Sequence, residues 1–206
     1  MFAIDHIAVA AGTLEDGAAY VQDALGVSLS PGGKHRQMGT HNRLLRLGED
    51  LFLEVITIDP DVPPPPRRRW FDLDGFGNAA PRIQTWIART FDLDAGLAAG
   101  PSSAGKPCQV SRGDMHWRIA VPDDGSMAYG GAYPTLIQWP PGPHPAASMA
   151  EAGCALVALE IEHPQAAAIA KYLGPDFGDE RLKISAGVQT RFRALIETPN
   201  GGRTLG

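Results

Sequence analysis

The chain opens on a run of mostly apolar residues, Ile4-Asp5-His6-Ile7-Ala8-Val9-Ala10, which reads as a strand. Alternate residues of a strand share a face, so His6, Ala8 and Ala10 form one side and Ile7 and Val9 the other. A change of period follows. Leu14, Ala18, Val21 and Leu25 recur at helical spacing behind Thr13, a good N-cap, with Asp16 at the third helical position and Gly26 as the stop. Gly32-Gly33-Lys34-His35 reads as a loop. Residues 40–47 and 51–58 read as two strands joined through Gly48-Glu49-Asp50. The order is strand, helix, loop or short strand, strand, strand.

That order returns. Residues 82–90 are rich in β-formers, 91–99 look helical before Gly100-Pro101, and 109–111, 115–121 and 135–139 read as strands. A third start has a strand at 155–161, an alanine-rich helix at 164–173 with Pro164 in its first turn, a stop at Gly174-Pro175, and strands at 182–185 and 190–197. The stops Gly26, Gly100 and Gly174 are spaced by 74 residues, a weak sign of repetition. Asn200-Gly201-Gly202 reads as a tail turn. Between the first two units, Pro63-Pro64-Pro65-Pro66 stiffens an extended segment that runs into Arg67-Arg68-Arg69-Trp70. Its plain reading is a solvated loop, and its sharper one a clamp for an anion or a contact for a partner.

Composition narrows the classes. At 206 residues the chain can bury a substantial core, and 44% hydrophobic with 20% charged residues is ordinary for a globular domain. A net charge of −5 argues against nucleic acid, which needs a basic face. No apolar run approaches the ~20 residues that span a bilayer. Cys108 and Cys154 are far apart and match no zinc or disulfide spacing, and the start lacks a basic leader, so a cytoplasmic protein is expected. Nucleotide-binding loops and hydrolase elbows are missing from the sequence.

Asp5-His6-Ile7 opening such a unit, Gly39-Thr40-His41-Asn42 leading into a strand, and Leu53-Glu54-Val55-Ile56 closing it resemble the glyoxalase-like branch of the vicinal oxygen chelate superfamily. Pro81-Arg82-Ile83-Gln84-Thr85-Trp86, His116-Trp117-Arg118-Ile119-Ala120 and Leu136-Ile137-Gln138-Trp139 carry the likeness onward. The resemblance implies an α+β fold of repeated βαβββ modules whose curved mixed sheets form a half-open barrel. The modules would be 1–60 and 81–145, with a Pro/Arg-rich connector at 61–80 and a partial βαββ unit at 146–206. It further implies a small-molecule ligand, one divalent ion (Zn²⁺, Ni²⁺, Mn²⁺ or Fe²⁺) or none, and a homodimer as one possible assembly.

Within that fold the helix covers Ile7 and Val9, which leaves His6 toward the cavity, and Phe52, Glu54 and Ile56 point the same way from the 51–58 strand. A buried carboxylate costs several kcal/mol unless paired or metal-bound, so Glu54 is the strongest single pointer, as ligand or base. Aligning strand ends sets Gln138 opposite Glu54, giving His6, Glu54 and Gln138 as the candidate metal set. The second-unit position that matches His6 falls at Thr85 or Trp86, neither of them a ligand type. His41 and Asn42 are candidates for substrate contact or for a turn. Trp86, Trp117 and Trp139 are candidates for an aromatic floor or for core. The functional expectation is a lyase or isomerase acting on a small oxygenated metabolite, with a metal-free binding protein as the alternative.

Overall fold

The computed structural model describes residues 2–174 and 177–206. Pro175, half of the expected third stop, lies outside them. The first unit runs β1 (Phe2–Ala10), α1 (Leu14–Leu25), β2 (Ser30–His35), β3 (Thr40–Arg46) and β4 (Phe52–Ile58). Thr13 caps α1 by accepting from the Asp16 N–H, and Gly26 ends it in the left-handed conformation at φ 70°. A short helix, α2 (Leu73–Phe76), lies within the connector. The second unit is β5 (Arg82–Thr90), α3 (Leu93–Ala99), β6 (Lys106–Arg112), β7 (Met115–Val121) and β8 (Thr135–Gln138).

These eight strands form one sheet in the order β2-β3-β4-β1-β5-β8-β7-β6. The first strands of the two units, β1 and β5, pair antiparallel at its centre, and each unit closes with a parallel pair, β1 with β4 and β5 with β8. The sheet curls until its two edges approach. The Gln37 side chain, just past β2, accepts from the Ser111 N–H on β6 at 3.1 Å, and Arg112 lies against Gly33. The expected half-open barrel is therefore built by units one and two from a single sheet.

The convex face carries Ile4, Ile7, Val9, Leu53 and Val55, covered by Val21 and Leu25 of α1. The fit is close. A methyl at Gly17 would stand 2.4 Å from Val55 Cγ1, so the helix needs glycine there to reach the sheet. The third unit covers the rest of this face. It comprises β9 (Ala155–His163), α4 (Ala166–Leu173), β10 (Leu182–Ala186), β11 (Arg191–Thr198) and β12 (Gly201–Leu205), with strand order β10-β9-β11-β12. Leu159, Ile161, Ile169, Ala194 and Ile196 join the same core. The concave face holds a second cluster with Ala8, Ala10, Ile56, Trp117, Ile119 and Ile137. The parity assigned to β1 and β4 is the observed one.

Two local readings change. Gly32-Gly33-Lys34-His35 is strand β2, though its pairing with β3 slips between Pro31 and Lys34. Residues 201–205 are strand β12, because a turn at Pro199-Asn200 sends the chain back along β11, rather than a tail turn. Pro164 sits ahead of α4 and outside it. The connector is not simply solvated. Arg69 is buried, donates from Nε to the Gly39 carbonyl at 3.2 Å and pairs with Asp74, while Trp70 and Phe71 turn into the concave face. Phe71 and Asp72 hold φ of 58° and 51°, a strained conformation for side-chain-bearing residues. Gln84 Nε2 donates to the Phe71 carbonyl, and the Gly125 carbonyl accepts from the Asp72 N–H. Among the described residues no helix is long and apolar enough to cross a membrane.

Candidate active site

The concave face closes around a narrow cavity of about 40 Å³. His6, Asn42, Glu54, Trp117 and Trp139 of the expected set all line it. His6 and Glu54 come from neighbouring strands, with Ala8 opposite Glu54 in the parallel register, so the two side chains meet on a diagonal. His6 Nε2 lies 3.6 Å from Glu54 Oε2. The Phe52 ring stacks on the imidazole at 4.4 Å and 12°, which fixes its plane. Asn42 Nδ2 donates to Glu54 Oε1 at 2.5 Å, and its Oδ1 accepts from the Gly33 N–H at 2.7 Å. That second bond requires glycine in β2, since a methyl on Gly32 would stand 2.1 Å from Asn42 Oδ1.

Behind His6 stands Asp5, fully buried. Its Oδ1 accepts from His6 Nδ1 at 2.6 Å, and its Oδ2 accepts from Trp139 Nε1 at 2.8 Å and His144 Nε2 at 3.0 Å. Simple alternation would aim Asp5 at the helix side with Ile7. The β1–β5 register shifts between Ile4 and His6, and this bulge turns Asp5 and His6 toward the same side. Burial alone would raise the Asp5 pKa, but the hydrogen bonds from His144 and His6 outweigh it and hold the carboxyl well below the usual carboxylate range. An ionised Asp5 only accepts, so His6 carries a proton on Nδ1 and turns Nε2 toward the cavity. His144 completes the pattern, with its Nδ1 accepting from the Ala146 N–H at 3.2 Å.

His35 also lines the cavity, edge-on to Trp70 and Trp117 at 5.1 and 5.9 Å. Burial pushes its pKa down to about 4, with the Glu54 charge opposing and Arg112 reinforcing, so it is neutral at physiological pH.

Three expected residues are placed elsewhere. On β8 it is Ile137 that faces the cavity, so Gln138 faces away. Its Oε1 accepts from the Leu93 N–H and Arg118, and its Nε2 donates to the Phe91 carbonyl. Trp86 pairs with Ile7 in the register and shares its convex face, where Nε1 donates to the Ala132 carbonyl and the ring meets Phe177. His41 lies on the side of β3 opposite Asn42, with Nδ1 4.0 Å from Asp59 Oδ1. Sequence reasoning missed Asp5, His35, Arg112 and His144. For Asp5 a signal existed: a carboxylate assigned by parity to an apolar face is a conflict that a bulge resolves.

A divalent ion needs three or four protein groups. His6 Nε2 and Glu54 are two suitable donors, and the Asp5–His6 pair is the support a ligating imidazole usually has. Among the described residues no third His, Cys, Asp or Glu is grouped with them in an arrangement suited to a metal. Gln138 faces away, and Asn42 presents its nitrogen. The donors present do not make a resident metal centre.

The fold has known counterparts. A hypothetical protein from Staphylococcus aureus superposes with a TM-score of 0.61 at 13% identity, covering 93% of this chain and 88% of that one. A variant of Streptomyces coelicolor methylmalonyl-CoA epimerase in complex with 2-nitronate-propionyl-CoA gives 0.45 at 16%, covering 69% and 97%. A mutant of 4-hydroxymandelate synthase from the same organism gives 0.47 at 14%, covering 98% and 61%. No curated protein matches the sequence. Residues 4–175 match the family model described as a glyoxalase-like domain, and the chain belongs to that family.

Proposed function

We propose that the chain is a lyase or isomerase that moves a proton on a small oxygenated metabolite, with His6 and Glu54 as the groups that exchange it. The observation behind this reading is the buried row Asp5–His6–Glu54–Asn42. His6 Nε2 and Glu54 Oε2 face each other 3.6 Å apart, and whenever Nε2 carries no proton they are two opposed acceptors. A proton arriving between them relieves that opposition. It also makes an imidazolium that Asp5 stabilises from behind.

The reaction class follows from what such a pair can do. Removing a proton from a carbon beside a carbonyl breaks the C–H bond, forms an N–H or O–H bond at the pair, and sends the electrons to the carbonyl oxygen. Returning the proton at another position or face completes an isomerisation. Expelling a leaving group from the neighbouring carbon completes an elimination. Asn42 has one amide N–H committed to Glu54 and a second free to donate toward a developing oxyanion. Phe71, Trp70 and Trp117 give the cavity apolar walls.

The cavity volume bounds the ligand. About 40 Å³ holds a few water molecules, far below the ~300 Å³ of an ordinary ligand pocket. Only the reacting atoms fit between His6 and Glu54, and the rest of the substrate must reach the rim. The test is hydrogen exchange. The protein is incubated in D2O with small 2-oxo and 2-hydroxy acids, aldehydes and esters, and loss of the α-proton signal is followed by NMR. His6→Gln and Glu54→Gln are each expected to slow exchange about 100-fold or more. Equal exchange in the wild type and both variants would sink the reading.

A further inference from the structure

We infer that the substrate is a carboxylic acid, anchored at the cavity rim by the guanidinium of Arg112. This deepens the proton-transfer reading above and rests on the same cavity being the substrate site. Arg112 ends β6, at one edge of the curled sheet, and lines the cavity from the side opposite β1. Six other arginines that are not fully exposed have a carboxylate within ion-pair distance: Arg43 with Glu15, Arg46 with Glu151, Arg69 with Asp74, Arg89 with Asp50, Arg118 with Asp94 and Arg181 with Asp179, while Arg67, outside the cavity, donates to Cys108 Sγ instead. Arg112 has no carboxylate within ion-pair distance among the described residues, and its one side-chain contact of polar type is Met115 Sδ at 3.9 Å. The carboxylate it shares the cavity with, Glu54, is held by Asn42 and faces His6.

The facing edge is shaped to admit that side chain. A methyl on Gly33 would stand 2.6 Å from Arg112 Cδ, so the arginine stem occupies the space a side chain on β2 would fill. The same glycine donates its N–H to Asn42, which ties the arginine's seat to the residue that orients Glu54. His35, neutral from burial, adds no second cation beside it. A half-buried, unpaired guanidinium presents a planar fork that fits a carboxylate with two parallel hydrogen bonds. The partly exposed ring of Trp139 suits an apolar body attached to it at the rim. A substrate carboxylate on Arg112 would reach inward with its neighbouring carbon toward His6 and Glu54.

Binding is read from quenching of the cavity tryptophans, with phenylpyruvate, its methyl ester and phenyl phosphate as probes. Wild type, Arg112→Gln, Arg112→Lys and Glu54→Gln are compared. The acid is expected to bind at least about tenfold more tightly than the ester, since a hydrogen bond to a charged group gains that much. Arg112→Gln should bring the acid to the level of the ester, and Arg112→Lys should recover part of the difference. Glu54→Gln should keep the preference for the acid. Equal binding of acid and ester, an unchanged Arg112→Gln, tighter binding of phenyl phosphate, or no quenching by any of the three each overturns the assignment. The two readings fail separately. Arg112-dependent binding without α-exchange on any compound removes the proton transfer and keeps the anchor. Exchange on acid and ester alike removes the anchor and keeps the proton transfer.

Discussion

Replacing Asp5 by Asn tests the centre of the proposed site with almost no change of shape. Oδ1 of Asp5 serves His6 alone, and Oδ2 serves Trp139 and His144. The amide has one oxygen to offer. Placed at Oδ1 it would set an N–H₂ against two buried donors, at about 1–3 kcal/mol for each group left unpaired. It therefore takes the Oδ2 position, and the N–H₂ faces His6 Nδ1. His6 must then accept on Nδ1 and carry its proton on Nε2, where it donates to Glu54 and can no longer take a proton. The net cost is one charge-assisted bond and the carboxylate charge, about 2–3 kcal/mol. For a chain of 206 residues that is a drop of about 4–12 °C in Tm.

The assay pairs thermal melting with α-proton exchange, at several pH values. Because the folded pKa of Asp5 is depressed, its contribution to stability is present above the ordinary carboxylate value of about 4 and is lost as pH falls through the lower folded value. The wild-type advantage over Asp5→Asn should therefore hold from pH 7 to about 4.5 and shrink below that. Exchange in the variant should fall about 100-fold or more at pH 7, through the wrong tautomer of His6. A variant that melts within about 1 °C of wild type and exchanges as fast would refute the role given to Asp5.

His35 supplies a second pH effect. Its folded pKa of about 4 lies below the free value of 6.5, so the unfolded chain takes up the proton first and stability falls as pH drops from about 6.5 to about 4, by up to about 3 kcal/mol. Urea titrations across that window should show this slope in wild type and lose it in His35→Gln; a slope that persists assigns it to another group. Gly32→Ala should displace Asn42, whose Oδ1 lies 2.1 Å from the added methyl, and release Glu54. The methyl also stands 2.4 Å from the Asn42 backbone carbonyl oxygen, so exchange about tenfold slower together with a lowered Tm is expected, and unchanged exchange would show that Asn42 does not orient Glu54. Prolonged dialysis against a chelator should leave exchange unchanged. One equivalent of a transition metal in purified protein, lost in both His6→Ala and Glu54→Ala, would show instead that water or substrate completes a metal centre.

How far the sequence could be read depends on what sets the direction of each side chain. Strand period alone aims His6, Phe52 and Glu54, because each lies in a regular stretch whose opposite face is apolar, and those three meet as the alternation requires. The order of elements within each unit follows from the same periods, whereas the pairing of units one and two in a single sheet does not, since nothing in a strand's period names its neighbour. Where an irregularity does the aiming, alternation misleads. Asp5 is turned by a bulge, and β2 escapes notice because its two glycines, which look like a loop, are the positions where Asn42 and Arg112 need room. Gln138 was expected opposite Glu54 by matching the two units end to end, yet β8 is short and presents Ile137 instead. The likeness of the units thus holds for backbone order and fails for the side chains at their ends. That asymmetry has a chemical consequence. The first unit brings His6, Asn42 and Glu54 to the cavity, while the second brings Trp117, Ile137, Trp139 and the lone cation Arg112. On the proposed reading the acid–base groups lie on one half of the barrel and the substrate's anchor on the other, so substitutions in the second unit should change which molecule is taken more than what is done to it.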